Sequence, residues 1–254
     1  MRSLYFGLCL VFAISYPALA EPPRVQVLVG LHKPPYIDLT SGSGYELELL
    51  TALFAAAGMR AEFTHVPNGR LLPLFKSGAF DAVTLQPMHS TLPEYFYSCP
   101  YIHYQNVVTT LADGKLDIQS LADLARQRVI AFQTAEQVLG EEFRWAVTQM
   151  MDYSETVDQQ AQVDMLLRGR ADAIILDRNI LGHHLDALAA EPALKLFNLP
   201  GGFYRLAFHR PELAAAFGEA QQHLWQQPAF TELQLRYFRQ ANQNLQPACD
   251  QQRR

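Results

Sequence analysis

Gln86 and Asp177 are the two polar residues whose placement in this 254-residue chain points most directly to chemistry. Each ends a short apolar run, Ala82-Val83-Thr84-Leu85 and Ala173-Ile174-Ile175-Leu176. Each run also follows the same spelling, Gly78-Ala79-Phe80-Asp81 and Gly169-Arg170-Ala171-Asp172. Ligands of open parallel sheets sit beyond the carboxyl ends of the strands, so an amide and a carboxylate delivered at equivalent steps can grip one polar molecule from two sides. The competing reading is local: each caps the next turn, and Asp177 stands directly before Arg178-Asn179-Ile180 as a helix N-cap would. His89 and Glu94 are groups able to carry protons, and Glu94 or Asp177 with His89 is the acid/base pair an enzyme would use here. No nucleophile motif accompanies them, and His183-His184 reads as part of a surface helix.

The elements that must position Gln86 and Asp177 come from the repeat itself. Leu71 to Lys76 and Val163 to Arg168 have helical period and end in a basic residue, which suits the negative end of a helix dipole. Gly78 and Gly169 can adopt the left-handed conformation that stops a helix without a Cβ penalty. The apolar runs that follow are short enough to be strands buried on both faces. A helix, turn and buried strand built twice imply two similar α/β lobes with a cleft between them.

Along the rest of the chain, strands and helices alternate, so the expected architecture is α/β with two mixed, mainly parallel sheets. A strand over Val25 to Leu31 stops at the paired prolines of His32-Lys33-Pro34-Pro35-Tyr36. A helix over Tyr45 to Ala57 has Ser43 as its expected cap and Glu46 and Glu48 in its acidic first turn. Tyr104 to Thr110 reads as a long strand entering the second lobe, and a helix is expected from Ala135 toward Met150. Helices over Pro211 to Leu224 and Phe230 to Ala241 are best used to cover the first lobe. That arrangement divides the chain into 21–109 with 202–254 and 110–201, joined by two crossings that act as a hinge.

Residues 1–20 read as a cleaved export signal: Arg2, an apolar stretch from Leu4 to Ile14, and the small-residue site Ala18-Leu19-Ala20. No later segment is long and apolar enough to cross a bilayer, so a soluble periplasmic protein is expected. The composition is 49% apolar, with a net charge of −5 and scattered basic residues, which argues against disorder and nucleic-acid binding. Beyond the signal, Cys99 and Cys249 remain. In an oxidising compartment they fit a disulfide tying the C-terminal tail to the first lobe. Two free thiols, or a metal role for Cys99 with His89 or His103, are the alternatives.

In order and spacing the motifs resemble bacterial extracellular solute-binding proteins of family 3, the amino-acid-binding type. The resemblance rests on Pro34-Pro35-Tyr36, Gly44-Tyr45-Glu46-Leu47-Glu48-Leu49, Ser77-Gly78 with Asp81-Ala82, Tyr97-Ser98-Cys99-Pro100-Tyr101, Ser120-Leu121-Ala122-Asp123-Leu124, and Gly169 with Asp172-Ala173. It implies a two-lobed periplasmic binding protein type 2 fold without a cofactor or metal. It also implies a monomer that captures a small solute for an inner-membrane ABC permease or sensor. The implied ligand-binding set is Tyr36, Tyr45, Arg70, Gln86, Met88, His89, Tyr101, Thr134, Asp177 and Phe203. Relatives of the cyclohexadienyl dehydratase type imply the enzyme alternative. One departure is large. The family's carboxylate-gripping arginine is missing from Ser90-Thr91-Leu92-Pro93-Glu94, and no arginine occurs between Leu71 and Ala125. Asp177 sits where the family's ammonium-binding carboxylate would be. A neutral or cationic ligand is therefore expected, with Arg70 as a partial substitute for the lost cation.

Overall fold

The computed structural model describes residues 21–114, 116–190 and 192–241, together with Leu245 and Cys249. The export-signal reading of residues 1–20 lies outside these residues. The first half-lobe runs β1 (Arg24–Val29), α1 (Tyr45–Ala56), β2 (Arg60–His65), α2 (Asn68–Phe75) and β3 (Ala82–Pro87). Short strands β4 (Phe96–Tyr97) and β5 (Ile102–Tyr104) follow, and β6 (Asn106–Leu111) opens the other lobe. That lobe continues with a 3-10 turn over Leu121–Leu124, β7 (Arg128–Phe132), α3 (Ala135–Val138), α4 (Gly140–Val147), β8 (Asp152–Thr156), α5 (Gln159–Leu167), β9 (Ala173–Asp177), α6 (Arg178–Asp186) and β10 (Leu194–Asn198). The chain returns through β11 (Gly202–Phe208) and ends its described helices with α7 (Pro211–Trp225) and α8 (Pro228–Tyr237).

The two sheets repeat one plan. In the first, the order is β2-β1-β3-β11-β4, with β5 also on β11; in the second it is β10-β6-β9-β7-β8. β1 is parallel to β2 and β3, as β7 is parallel to β8 and β9. The strand that carries the chain across lies antiparallel beside the third member in each case, β11 on β3 and β6 on β9. The repetition therefore covers a whole β-α-β-α-β unit, larger than the short spelling that signals it.

The repeated aspartates show why the spelling recurs. Asp81 donates its backbone N–H to the Gln26 carbonyl at 2.9 Å and accepts the Gln26 N–H on Oδ2 at 2.9 Å. Asp172 makes the same exchange with Arg128, at 2.9 Å and 2.8 Å. Each carboxylate also pairs with an arginine, Arg210 at 3.1 Å and Arg128 at 2.7 Å. Each aspartate thus clasps the start of its strand to the neighbouring strand, satisfying backbone groups that the ladder leaves open. Gly78 and Gly169 both take positive φ, 78° and 64°, as helix-stopping residues do.

Successive strand side chains feed opposite faces. Val27, Val29 and Ala82 join one core with Leu50, Phe54 and Phe208, while Leu28 and Val83 join another with Leu71, Phe75 and Ala207. Ala173 and Ile175 pack with Val108, Val129 and Phe143 in the second lobe. α7 and α8 lie against α1, so the closing helices do cover the first lobe.

Several boundaries differ from expectation. The long strand over 104–110 is broken at Gln105, so all of β6 belongs to the second sheet and the crossing comes before residue 109. The helix expected from 135 onward is split where Gly140 takes φ 85°. Gly44, in place of Ser43, stands at the α1 N-cap and has no side-chain cap. A Cβ on Gly201 would collide with the His103 ring, and one on Gly202 would lie 2.9 Å from Tyr204, so the return crossing needs glycine at both positions. Cys99 and Cys249 form a disulfide with Cα atoms 4.9 Å apart, which resolves the alternatives for this pair and ties the C-terminal tail to the first lobe.

Candidate functional site

The carboxyl ends of the parallel strands of both lobes open onto one cavity of about 380 Å³. Each lobe contributes three loops in the same order. The segment after β1 supplies Leu31, His32 and Lys33, the one after β2 Pro67 and Asn68, and the end of β3 Leu85 and Gln86. Across the cleft, the segment after β7 supplies Phe132, Gln133 and Thr134, the one after β8 Val157 and Gln159, and the end of β9 Asp177. Tyr104, Asn106 and Tyr204 line it from the hinge. Leu85 and Thr134 hold positive φ, 57° and 71°. Non-glycine residues in this conformation are uncommon and cluster at ligand sites, and here one stands on each side of the cleft.

Asp177 is buried, and the protein supplies donors to both of its oxygens. Oδ1 accepts from the Asn179 N–H at 2.9 Å and the Ile180 N–H at 3.2 Å, which makes Asp177 the N-cap of α6. The same oxygen accepts from the Tyr36 hydroxyl at 3.0 Å, and Oδ2 accepts from the Gln105 N–H at 2.9 Å. Asn179 Nδ2 also donates to Tyr36 Oη at 2.9 Å. Asp177 therefore joins α6, the first-lobe loop and the crossing residue Gln105. Burial raises its pKa to about 6 although these four donors pull the other way. The cap and cleft readings both hold in part: the side chain lines the cavity and caps the helix.

Among the described residues, Lys33 is the lysine in the cavity lining, which holds no arginine. Its Nζ lies 2.8 Å from Glu46 Oε2 and donates to the Tyr104 hydroxyl at 2.6 Å. Glu46 is fully buried and also accepts from Tyr101 Oη at 2.6 Å and Tyr104 Oη at 3.2 Å. Burial, with the adjacent Glu46 charge second, pushes the Tyr101 and Tyr104 hydroxyls well above their ordinary pKa and keeps them as donors. Nothing in the spacing of a lone lysine beside two prolines marks it as a cleft residue. Its available signal was position: it lies just beyond the end of β1.

Gln86 lines the cavity opposite the second lobe, with Nε2 donating to the Thr84 carbonyl at 2.9 Å. Thr134 also lines it. Met88, His89 and Phe203 line an adjoining chamber of about 240 Å³ that shares Pro87, Asn106, Val138 and Tyr204 with the larger one. His103 stacks on Phe203 with ring centres 4.4 Å apart, and burial lowers its pKa.

Four of the expected ligand contacts lie outside both linings. Tyr36, Tyr45 and Tyr101 are fully buried and lie behind the cleft wall. Tyr36 and Tyr45 pack with Tyr104 and Phe238 in one aromatic cluster, which consumes their faces, while Tyr101 serves Glu46. Arg70 is exposed and outside the lining, because the first turns of α2 present Asn68, Leu71 and Leu72 to the cavity and turn Arg70 away. The segment that lacks the expected arginine is itself held by one. Arg205 donates to the Ser90 carbonyl at 3.1 Å and Thr91 Oγ1 at 2.7 Å, with its guanidinium 3.9 Å over the Tyr97 ring. Arg205 lies outside both linings. Glu94 is exposed and lines neither chamber, while His89 lines the smaller chamber and Asp177 the larger.

No family model and no curated sequence matches the chain. Its fold does match solved structures. An ancestral arginine-binding protein bound to arginine is 18% identical with TM-score 0.69, over 86% of this chain and 99% of that one. A protein described as an L-cystine ABC transporter from Listeria monocytogenes is 20% identical with TM-score 0.68, over 85% and 96%. The VFT2 domain of Bordetella pertussis BvgS, as a double mutant, is 19% identical with TM-score 0.67, over 88% and 99%. The chain therefore has the two-lobed α/β fold of periplasmic binding proteins of type 2, with two mixed sheets.

Proposed function

We propose that this chain is an exported solute-binding protein of the amino-acid-binding type that its motifs resemble. It captures a small polar molecule between its lobes, closes over it, and presents it to an inner-membrane ABC permease. The observation that carries this reading is the convergence of equivalent strand ends from two repeated units on one cavity, with Tyr104 and Asn106, on either side of the crossing residue Gln105, in its lining. Gln105 and residues 199–201 are single-stretch connections between the sheets, suited to absorb a rigid-body closure. The names of the similar structures, an arginine-binding protein and an ABC transporter protein, support a binding and transport role over catalysis. Gln86, Thr134 and Asp177 are the cleft contacts in this reading, with Met88, His89 and Phe203 serving the adjoining chamber.

The test is thermal unfolding against a panel of amino acids, amines, neutral amides and short peptides, run on the wild type and on Gln137→Trp. Gln137 is exposed at the rim of the cavity, so the indole obstructs the cleft without disturbing the core. One chemical class is expected to raise the melting temperature of the wild type and to lose that effect in the variant. Stabilisation that persists equally in Gln137→Trp contradicts the cleft as the site.

A further inference from the structure

If the cleft is a solute site, as proposed above, the charges in its wall narrow what it accepts. Among the described residues, the acidic and basic side chains in the lining of the main cavity are His32, Lys33 and Asp177, beside the tyrosines Tyr104 and Tyr204. Lys33 is matched by Glu46 at 2.8 Å and is only 8% exposed. Asp177, 3% exposed, holds four donors supplied by the protein. His32 is exposed at the rim beside Asp38, 3.5 Å away. The backbone N–H groups of Thr134 and Glu136, at the start of α3, donate to the protein's own carboxylate, Glu155, at 2.7 and 2.8 Å. Among the described residues an incoming carboxylate thus meets no uncompensated cation, and the carboxylate an incoming ammonium meets is buried, with three donors on Oδ1 and one on Oδ2.

The rest of the lining, among the described residues, is neutral. Asn68, Gln86, Asn106, Gln133 and Gln137 bring carboxamides, each able to donate and accept. Lys33 keeps one N–H beyond its bonds to Glu46 and Tyr104. Leucines 31, 71, 72 and 85 with Phe132 supply an apolar floor. Moving a charged group from water to such a wall costs solvation that a buried, four-donor carboxylate and an ion-paired lysine return poorly, whereas amides, carbonyls and hydroxyls exchange water for carboxamide partners.

We infer that the ligand is electrically neutral, a small molecule with an apolar body and amide, carbonyl or hydroxyl groups. Lys33–Glu46 is the specificity device: it places a donor at the cleft while cancelling the charge that would recruit an anion.

Calorimetric titration with four matched forms of one side chain tests this: N-acetyl-leucinamide (neutral), N-acetyl-leucine (anion), leucinamide (cation) and leucine (zwitterion), repeated with phenylalanine and glutamine. The neutral form is expected to bind about tenfold or more tighter than each charged form, the equivalent of about 1.4 kcal/mol. In Glu46→Gln, which keeps one acceptor oxygen for a tyrosine hydroxyl but uncovers the Lys33 charge, the ratio of anion to neutral affinity should rise about tenfold. Tighter binding of the zwitterion or of either ion in the wild type overturns the neutral-ligand inference and leaves the binding function standing. An unchanged ratio in Glu46→Gln overturns the role of Lys33–Glu46. Absence of heat with every form of every side chain overturns the binding reading as well.

Discussion

The two Gly-x-x-Asp units, one in each lobe, agree where they build and differ where they face the cleft. Asp81 and Asp172 make the same two-way bond to the strand beside them and both add an arginine. Five residues on, Gln86 bonds within its own strand while Asp177 collects donors from three different segments. The first lobe carries its charge elsewhere, on the loop after β1, as a lysine cancelled by a buried glutamate. The shared spelling is thus framework, and the unshared ends determine chemistry. Each lobe meets the same difficulty, a charge at low exposure, by a different route: an ion pair in one, backbone and hydroxyl donors in the other.

The largest effect should come from removing one half of the ion pair. Glu46→Ala leaves Lys33 buried without a counter-charge and is expected to cost about 3–5 kcal/mol in urea unfolding. A loss under about 1 kcal/mol would mean that the first lobe does not depend on that pair. Asp177→Ala removes a helix cap and strands the Tyr36 hydroxyl and the Gln105 N–H, for an expected loss of about 2–3 kcal/mol. Next come the clasps. Asp81→Ala and Asp172→Ala should each cost about 1–2 kcal/mol, and the double variant should show their sum, since they lie in separate lobes. Unequal losses would break the equivalence of the two units. Hydrogen exchange should quicken at β1 in the first variant and at β7 in the second.

The smallest effect is a cancellation in pH dependence along α6. Asp177 has its pKa raised to about 6, so its contribution to stability is complete below the ordinary carboxylate range and is lost as pH rises through about 6. His184, in the last turn, has its pKa lowered to about 4 by burial, with the neighbouring His183 charge second. Its contribution is complete above the ordinary imidazole range and is lost as pH falls. Between about pH 7 and 5 the two should offset to within roughly 1 kcal/mol. His184→Gln should unmask stabilisation on acidification and Asp177→Asn destabilisation, each read from urea midpoints. Parallel pH profiles in all three proteins would contradict the pairing.

Much of this was readable in the residues. The doubled Gly-x-x-Asp spelling, the helix-stopping glycines at 78 and 169 and the alternation of strands and helices point to two α/β lobes, because those signals are local. Gln86 and Asp177 could be found from strand-end position alone. The inward placement of Tyr36, Tyr45 and Tyr101 is not legible, because aromatic residues near a cleft loop have the same spelling whether they face the cleft or the core. Tyr36 and Tyr45 are drawn inward by Tyr104 and Phe238, which are distant in sequence. The helix start suggests Arg70 as a cleft cation, yet the turn geometry of α2 leaves it exposed and outside the lining. Lys33 was missed for the complementary reason. Its partner Glu46 reads as an ordinary acidic first-turn residue, and only the tertiary approach of α1 to the β1 loop joins them.

Solution scattering tests the central claim most directly, that the two lobes close over a solute held between their equivalent strand ends. The radius of gyration of the wild type should fall on saturation with the ligand that stabilises it best, and that of Gln137→Trp should stay constant under the same conditions. An unchanged radius in the wild type, with binding verified by calorimetry in the same sample, would contradict hinge closure.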